Sequence, residues 1–214
     1  MTKKLFWKDP YQTSNETFIT SVKGPDVSVE ETVFYAFSGG QESDRGTIGS
    51  YQVVSASRLG RKIEYRLSED HLLKQGDTVT VRIEWGRRYR LMRLHFAAEI
   101  VLELMYKSLQ GVQKIGAHIG ENKARIDFRW PESISSLLPE IAVGVDRIVE
   151  SNRVIRSFFI NEENERRCWE VDGFAQVACG GTHLKKTGEV GDIRLKRKNI
   201  GKGKERVEIF LLKT

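Results

Sequence analysis

Cysteine is scarce in this sequence. Cys168 and Cys179 are the only two in 214 residues, too few for a disulfide scaffold, and a reducing compartment is the simpler expectation. Histidine is nearly as scarce, with four in all. No apolar run approaches the roughly 20 residues that a bilayer-spanning helix needs, and the opening MTKKLFWKDPYQ has no apolar stretch of the signal-peptide kind. A cytoplasmic protein without membrane contact is expected. Neither sign of charge dominates: 35 Lys and Arg against 29 Asp and Glu leave +6, which permits a polyanionic partner without demanding one. Internal repeats, low-complexity tracts and long linkers are also missing. What remains is ordinary for a globular chain, 39% hydrophobic and 30% charged, of a length that suits one large domain or two small ones.

The first part reads as β. Residues 17–24, 31–37, 46–60, 62–68 and 77–85 alternate or are rich in β-branched and aromatic residues, with Gly, Asp, Ser and Pro between them. Short strands at close spacing predict a small barrel or sandwich. The period changes near WGRRYRLMRLHF. From residue 89 to 109, Leu91, Leu94, Ala98, Val101, Leu102 and Met105 recur at three and four, which predicts a long helix stopped by Gly111. GAHIGENKARIDFRW follows as a strand or hairpin. Residues 133–154 predict a second helix, with Ser135 or Ser136 as cap. VIRSFFI, FAQVACGG, GDIRLKRKN and KERVEIFLL then read as strands. The fold class is α+β: a β-barrel-like domain over residues 1–86, then a domain over 87–214 with two helices packed on a mostly antiparallel sheet.

Two short stretches could carry chemistry. In RLHFAAEIVLELM, His95 and Glu99 stand four apart, so on a helix their Cβ atoms are neighbours about 5–6 Å apart. In CGGTH, Cys179 and His183 flank Gly180 and Gly181, whose freedom lets a loop fold tightly enough for both side chains to converge. Thiolate and imidazole are preferred zinc ligands, so the four residues form a candidate site with two N, one S and one O donor. Two other stretches read more plainly. SGGQESDRG is Gly-rich but lacks GK[ST] and opens no helix, so it is neither a P-loop nor a dinucleotide fingerprint and reads first as a hairpin turn. Between Arg194 and Arg206 lie seven Lys or Arg and one acid, a solvated strand or a phosphate-contact surface.

Together these stretches resemble the AlaX family of alanyl-tRNA editing proteins, free-standing versions of the editing domain of alanyl-tRNA synthetase. CGGTH and the sequence down to KERVEIFL resemble the family's C-terminal half, and SGGQESDRGTI its Gly-rich motif in a leading β domain. RRYRLMRLHFAAEIV falls where the family carries an HxxxH helix, and GAHIGENKARIDF resembles the strand after it. The resemblance spans residues 5–212 and its layout is that of the medium-length form, without an aminoacylation module. It implies an ATP-independent, zinc-dependent deacylase acting in translation fidelity. Such an enzyme hydrolyses the ester of tRNA(Ala) mischarged with serine, or in some members glycine, and binds the tRNA acceptor end with no protein partner.

Carried over by position, the resemblance implies that one Zn²⁺ would be held by His95, Glu99, Cys179 and His183, and that the nucleophile would be a zinc-bound water with no side chain assigned. Gly39, Gly40, Gln41, Asp44, His118, Gly180, Gly181 and Thr182 are candidates for contacting the aminoacyl group. Arg194, Lys196, Arg197, Lys198, Lys202 and Lys204 are candidates for contacting tRNA. The helix departs from the family pattern: Phe96 stands for its threonine and Glu99 for its second histidine. Three roles are open for Glu99: a metal ligand, a holder of water or of the substrate amine, or the mark of a weakened site. Two rival functions also stand, a non-catalytic RNA-binding module with a structural zinc and a metallohydrolase for another acyl ester.

Overall fold

The first third does form strands in the computed structural model, which describes residues 1–212; the last two residues of the expected second domain lie outside the described residues. The strands are β1 (Lys3–Lys4), β2 (Ser14–Lys23), β3 (Asp26–Val29), β4 (Glu31–Thr32), β5 (Gly46–Ile48), β6 (Tyr51–Gln52), β7 (Ser55–Leu59), β8 (Lys62–Arg66) and β9 (Thr78–Ile83). Seven of them make one antiparallel sheet in the order β6-β5-β9-β2-β3-β8-β7. The first half of β2 pairs with β9 and the second half with β3, which curls the sheet. No β6–β7 pairing closes it among the described residues, so the expected barrel is an open half-barrel. Its concave side holds Ile19, Val27, Val29, Ile48, Ile63, Tyr65 and Val81, all buried.

Residues 31–37, expected as one strand, form a strand only at β4, with one isolated bridge from Phe37 to Ser57. Residues 33–36 are a buried irregular stretch leading to the exposed Phe37, and side chains take several of the backbone groups here. Val33 N–H donates to Asn15 Oδ1 (2.9 Å), Tyr35 N–H to Asp44 Oδ2 (2.7 Å) and Phe37 N–H to Ser43 Oγ (2.9 Å). Arg88 Nη2 donates to Val33 O (2.6 Å). Buried backbone needs such partners, and polar side chains here replace a ladder.

The chain divides into two units: Met1–Ser38 with Glu42–Tyr89, and Gly39–Gln41 with the chain from Arg90 onward. The second unit holds most of α1 (Trp85–Ser108), then β10 (Gln113–Ile119), β11 (Ala124–Arg129), α2 (Leu138–Glu150), β12 (Arg156–Asn161), β13 (Arg166–Val171), β14 (Ala175–Ala178), β15 (Ile193–Asn199) and β16 (Lys204–Leu211). These strands form two antiparallel sheets, β10-β11-β16-β15 and β12-β13-β14. The second unit is thus α+β, two helices with antiparallel sheet, as the sequence suggests.

α1 is buried on more than the face its periodicity marks. Met92, Phe96, Ala97 and Ile100 are as buried as Leu91, Leu94 and Met105, the pattern of a helix with packing on several sides. Gly111 stands just beyond it with φ +82°, a left-handed stop. α2 begins later than expected. Pro139 can occupy only a first helical turn, and Leu137, not Ser135 or Ser136, is the cap, without a side-chain bond. Its end comes at Ser151, before Asn152 with φ +45°. Strands β1, β3 and β13 lie outside every strand expected from the sequence.

Candidate metal centre

His95 and Glu99 project from one side of α1, and Cys179 and His183 come from the loop after β14. In the second unit these four side chains meet. Cys179 Sγ lies 3.4 Å from His95 Nε2 and 3.3 Å from His183 Nε2. Glu99 Oε1 lies 3.2 Å from His95 Nε2 and 3.5 Å from Cys179 Sγ. The donor atoms of His95, Cys179 and His183 all fall within 4.8 Å of one another; Glu99 is outside that mutually close set. With bonds of about 2.0–2.3 Å to a tetrahedral zinc, neighbouring ligand atoms stand about 3.3–3.8 Å apart. The Cys179 separations match that edge length, so donor type and spacing both fit a zinc ion.

Supporting bonds fix the donors. Ser157 Oγ is 2.9 Å from His183 Nδ1, which leaves Nε2 to face the cluster, as a ligating histidine requires. Trp169 Nε1–H donates to Glu99 Oε2 at 3.3 Å. His95 Nδ1 is buried without a hydrogen bond. Without a metal, burial opposes charge on His95, but the neighbouring Cys179 sulfur and Glu99 carboxylate outweigh it and raise the imidazole well above its usual range. Burial likewise disfavours the Glu99 carboxylate, and His95 outweighs it, lowering Glu99. His183 moves the other way: burial, then His95, push it well below an ordinary imidazole. Both effects favour the neutral form, which is the one that binds metals.

A small cleft opens beside this cluster, bordered by Gly39, His95, Glu99, Lys114, Ala117 and Ile119. Gly39 and Gly40 both have positive φ, +60° and +89°. A Cβ on Gly40 would lie 2.7 Å from Ala117 O, and Ile119 N–H donates to Gly40 O at 2.7 Å. The glycines thus lay this piece of chain along β10. They also aim Gln41, which is buried and paired with Thr182 both ways: its Nε2–H donates to Thr182 Oγ1 (2.8 Å), and its Oε1 accepts from Thr182 N–H (3.3 Å). Gly181 packs against His95 and Gln41, while Gly180 faces open space.

Other candidates lie elsewhere. Asp44 belongs to the first unit, where it is fully buried and accepts from Arg88 Nε (2.8 Å) and Nη2. His118 alternates with the cleft-facing Ala117 and Ile119, so it points to the other face of β10. The basic candidates divide by strand parity. Arg194, Lys196 and Lys198 face outward with Arg206, beside Glu208 and Phe210. Arg197 lies on the opposite strand face, itself exposed, and makes a bidentate pair with buried Glu205, 2.6 Å at each bond. Lys202 lies in the turn before β16, and Lys204 opens that strand. Sequence reasoning missed Ser157, Trp169, Arg167 and Lys114, for which no motif exists to signal them.

The chain is 30% identical over 215 residues to the alanyl-tRNA editing protein AlaX-M of Pyrococcus horikoshii, covering 99% of this chain and 98% of that protein. The chain belongs to the AlaX-M family of alanyl-tRNA editing proteins. AlaX-M of Methanosarcina mazei is 29% identical over 245 residues, covering 99% of this chain and 97% of that protein. The alanine–tRNA ligase of Ignicoccus hospitalis is 32% identical over 232 residues; these are 97% of this chain but 26% of the ligase, so this chain is similar to a part of that protein. Residues 170–208, with Cys179 and His183 among them, match the family model of the threonyl and alanyl tRNA synthetase second additional domain. No helix among the described residues is long and apolar enough to cross a membrane.

Proposed function

We propose that this protein is a trans-editing deacylase that hydrolyses mischarged tRNA(Ala), chiefly the seryl ester and also the glycyl ester. The observation that carries this reading is the convergence of His95, Cys179 and His183 beside a cleft, in a chain of the alanyl-tRNA editing family. These three residues would hold a zinc ion, with Glu99 as the fourth ligand. Bound zinc supplies Lewis acidity, which serves ester hydrolysis by polarising a carbonyl or by acidifying water.

The chain's own residues have distinct tasks. Ser157 holds the His183 ring and Trp169 the Glu99 carboxylate, so the donors are preorganised. Gln41, steadied on Thr182, places a buried polar group next to His95, where the aminoacyl group would lie. A polar partner for a serine hydroxyl favours serine over alanine, because alanine would leave that partner unpaired. Water is consumed; the free amino acid and the ribose hydroxyl of tRNA are released. Arg194, Lys196 and Lys198 would take phosphates of the tRNA on the outer face of the four-stranded sheet.

Release of free serine from Ser-tRNA(Ala), measured beside Ala-tRNA(Ala), tests the reading. Fast release of serine with alanine retained is expected. Tight tRNA binding without release would instead make the protein a binding module with a structural zinc. Release only from a non-tRNA acyl ester would make it another metallohydrolase.

A further inference from the structure

The face of the β12-β13-β14 sheet that carries the metal-site supports continues beyond them. Cross-strand partners share a sheet face, as do residues two apart on one strand. Ser157 pairs with Trp169, and Phe159 pairs with Arg167. Cys179 N–H donates to Arg167 O at 2.9 Å, which extends the row by one strand. Phe159, Arg167 and Cys179 therefore form a line across the sheet, next to the line that holds Ser157 and Trp169. Along it, Arg167 is 5% exposed and its Nη1 reaches Gly181 O at 3.4 Å. Its guanidinium lies 5.3 Å from the Phe159 ring centroid. Phe159 is 36% exposed on the outer strand of the sheet, in a run with the exposed Phe158 and Ile160.

An aromatic ring held in place and left open to solvent, two strands from a metal-site thiol, is an unusual thing for an edge strand to keep. Exposed apolar edges are a liability that proteins otherwise blunt with charge. We infer that Phe159, braced on Arg167, is the stacking platform for the base of the 3′-terminal adenosine of tRNA. The inference rests on the proposed deacylase function and adds a substrate-positioning residue to it. Two strand spacings are about 10 Å, of the order of the span from an ester carbonyl across one ribose to its base. Unpaired nucleotides are held by proteins chiefly through stacking on aromatic rings, with cationic guanidinium groups assisting. Phe159 and Arg167 supply both, and the unpaired 3′ end of an aminoacyl-tRNA is such a nucleotide.

The test is a cycle of two changes: Phe159→Ala in the protein and removal of the terminal base from the tRNA. With wild-type protein and intact Ser-tRNA(Ala), KM is the reference. Phe159→Ala is expected to raise KM between about fivefold and a hundredfold, the usual range for loss of one base stack, with zinc content unchanged. Phe159→Tyr and Phe159→Trp should restore KM to within about threefold. Binding of uncharged tRNA should weaken when its terminal base is removed, and Phe159→Ala should then add no further loss. Equal affinity of the wild-type protein for intact and terminally abasic tRNA overturns the inference, and does so even if Phe159→Ala fails to fold. Additive losses from the two changes overturn it as well. Absence of any deacylation by the wild-type protein would instead count against the deacylase reading, while the abasic-tRNA comparison would still decide the stacking.

Discussion

A Cβ built on Gly181 would lie 2.0 Å from His95 Cε1, 2.6 Å from His95 Nδ1 and 2.8 Å from Gln41 Oε1, whereas one on Gly180 meets nothing within 4 Å. Neighbouring glycines in CGGTH thus serve different ends. Gly181→Ala is expected to displace the His95 ring, leave zinc well below one per chain and slow deacylation by on the order of a hundredfold. Gly180→Ala should keep both near wild type, and metal analysis of the two purified variants reads the difference. Glu99 is the second residue to test. Its Oε1 stands at ligand-edge distance from two donors, and Trp169 holds its other oxygen. Glu99→Ala should weaken zinc by at least the roughly 10–100-fold that loss of an outer-shell partner costs; unchanged affinity in a competition titration with a chelator would exclude it as a ligand. His95, Glu99, Cys179 and His183 were all legible in the sequence, because donor chemistry shows itself as residue type and spacing. Ser157, Trp169 and Arg167 were not, because a serine, a tryptophan or an arginine acquires its role only from the register that sets it opposite a donor.

Single elements show where local pattern and tertiary structure part. Residues 31–37 read as a strand because they are apolar, β-branched and aromatic. Their backbone is instead satisfied by Asn15, Ser43, Asp44 and Arg88, a set scattered along the chain that no local pattern announces. The Arg88–Asp44 pair is fully buried, so removing one partner leaves an uncompensated charge. Arg88→Met should cost about 3–5 kcal/mol of stability, read from chemical denaturation. In the four-stranded sheet, burial works against the Asp127 carboxylate, but bonds from Arg206 (2.6 and 2.9 Å) and from Arg125 lower its pKa below the usual value. A carboxylate lowered in the folded state adds stability above its unfolded pKa of about 3.9, and that stability is lost as pH falls through the lower folded value. Stability of the wild type should therefore drop below about pH 4, and Asp127→Asn should flatten that limb of the pH–stability curve. The helices were legible from their period, but α2 begins where Pro139 allows, and the extent of α1 burial came only from packing on several sides. Strand β13 hid because Arg166, Arg167 and Glu170 interrupt its apolar residues.

At the scale of the whole chain, +6 says little; the distribution says more. Arg194, Lys196 and Lys198 stand on one outward face, while Arg197, equal to them in sequence, is committed to Glu205. Replacing the first three together by Ala should weaken tRNA binding and flatten its dependence on log salt by about one unit per lost phosphate contact. Arg197→Ala should leave that slope alone and destabilise the fold instead. Strand parity was available in the sequence to make this division, once the strand was granted. The family, the α+β class and the clustered donors support one proposal, that His95, Cys179 and His183 hold the metal on which ester hydrolysis depends. The most direct measurement is the single-turnover rate of Ser-tRNA(Ala) deacylation as zinc is restored to chelator-treated protein, with Cys179→Ala as control. The rate should rise in proportion to bound zinc, saturate at one zinc per chain and be absent in Cys179→Ala while its fold persists. A rate independent of zinc occupancy, or retained in Cys179→Ala, would contradict the proposal.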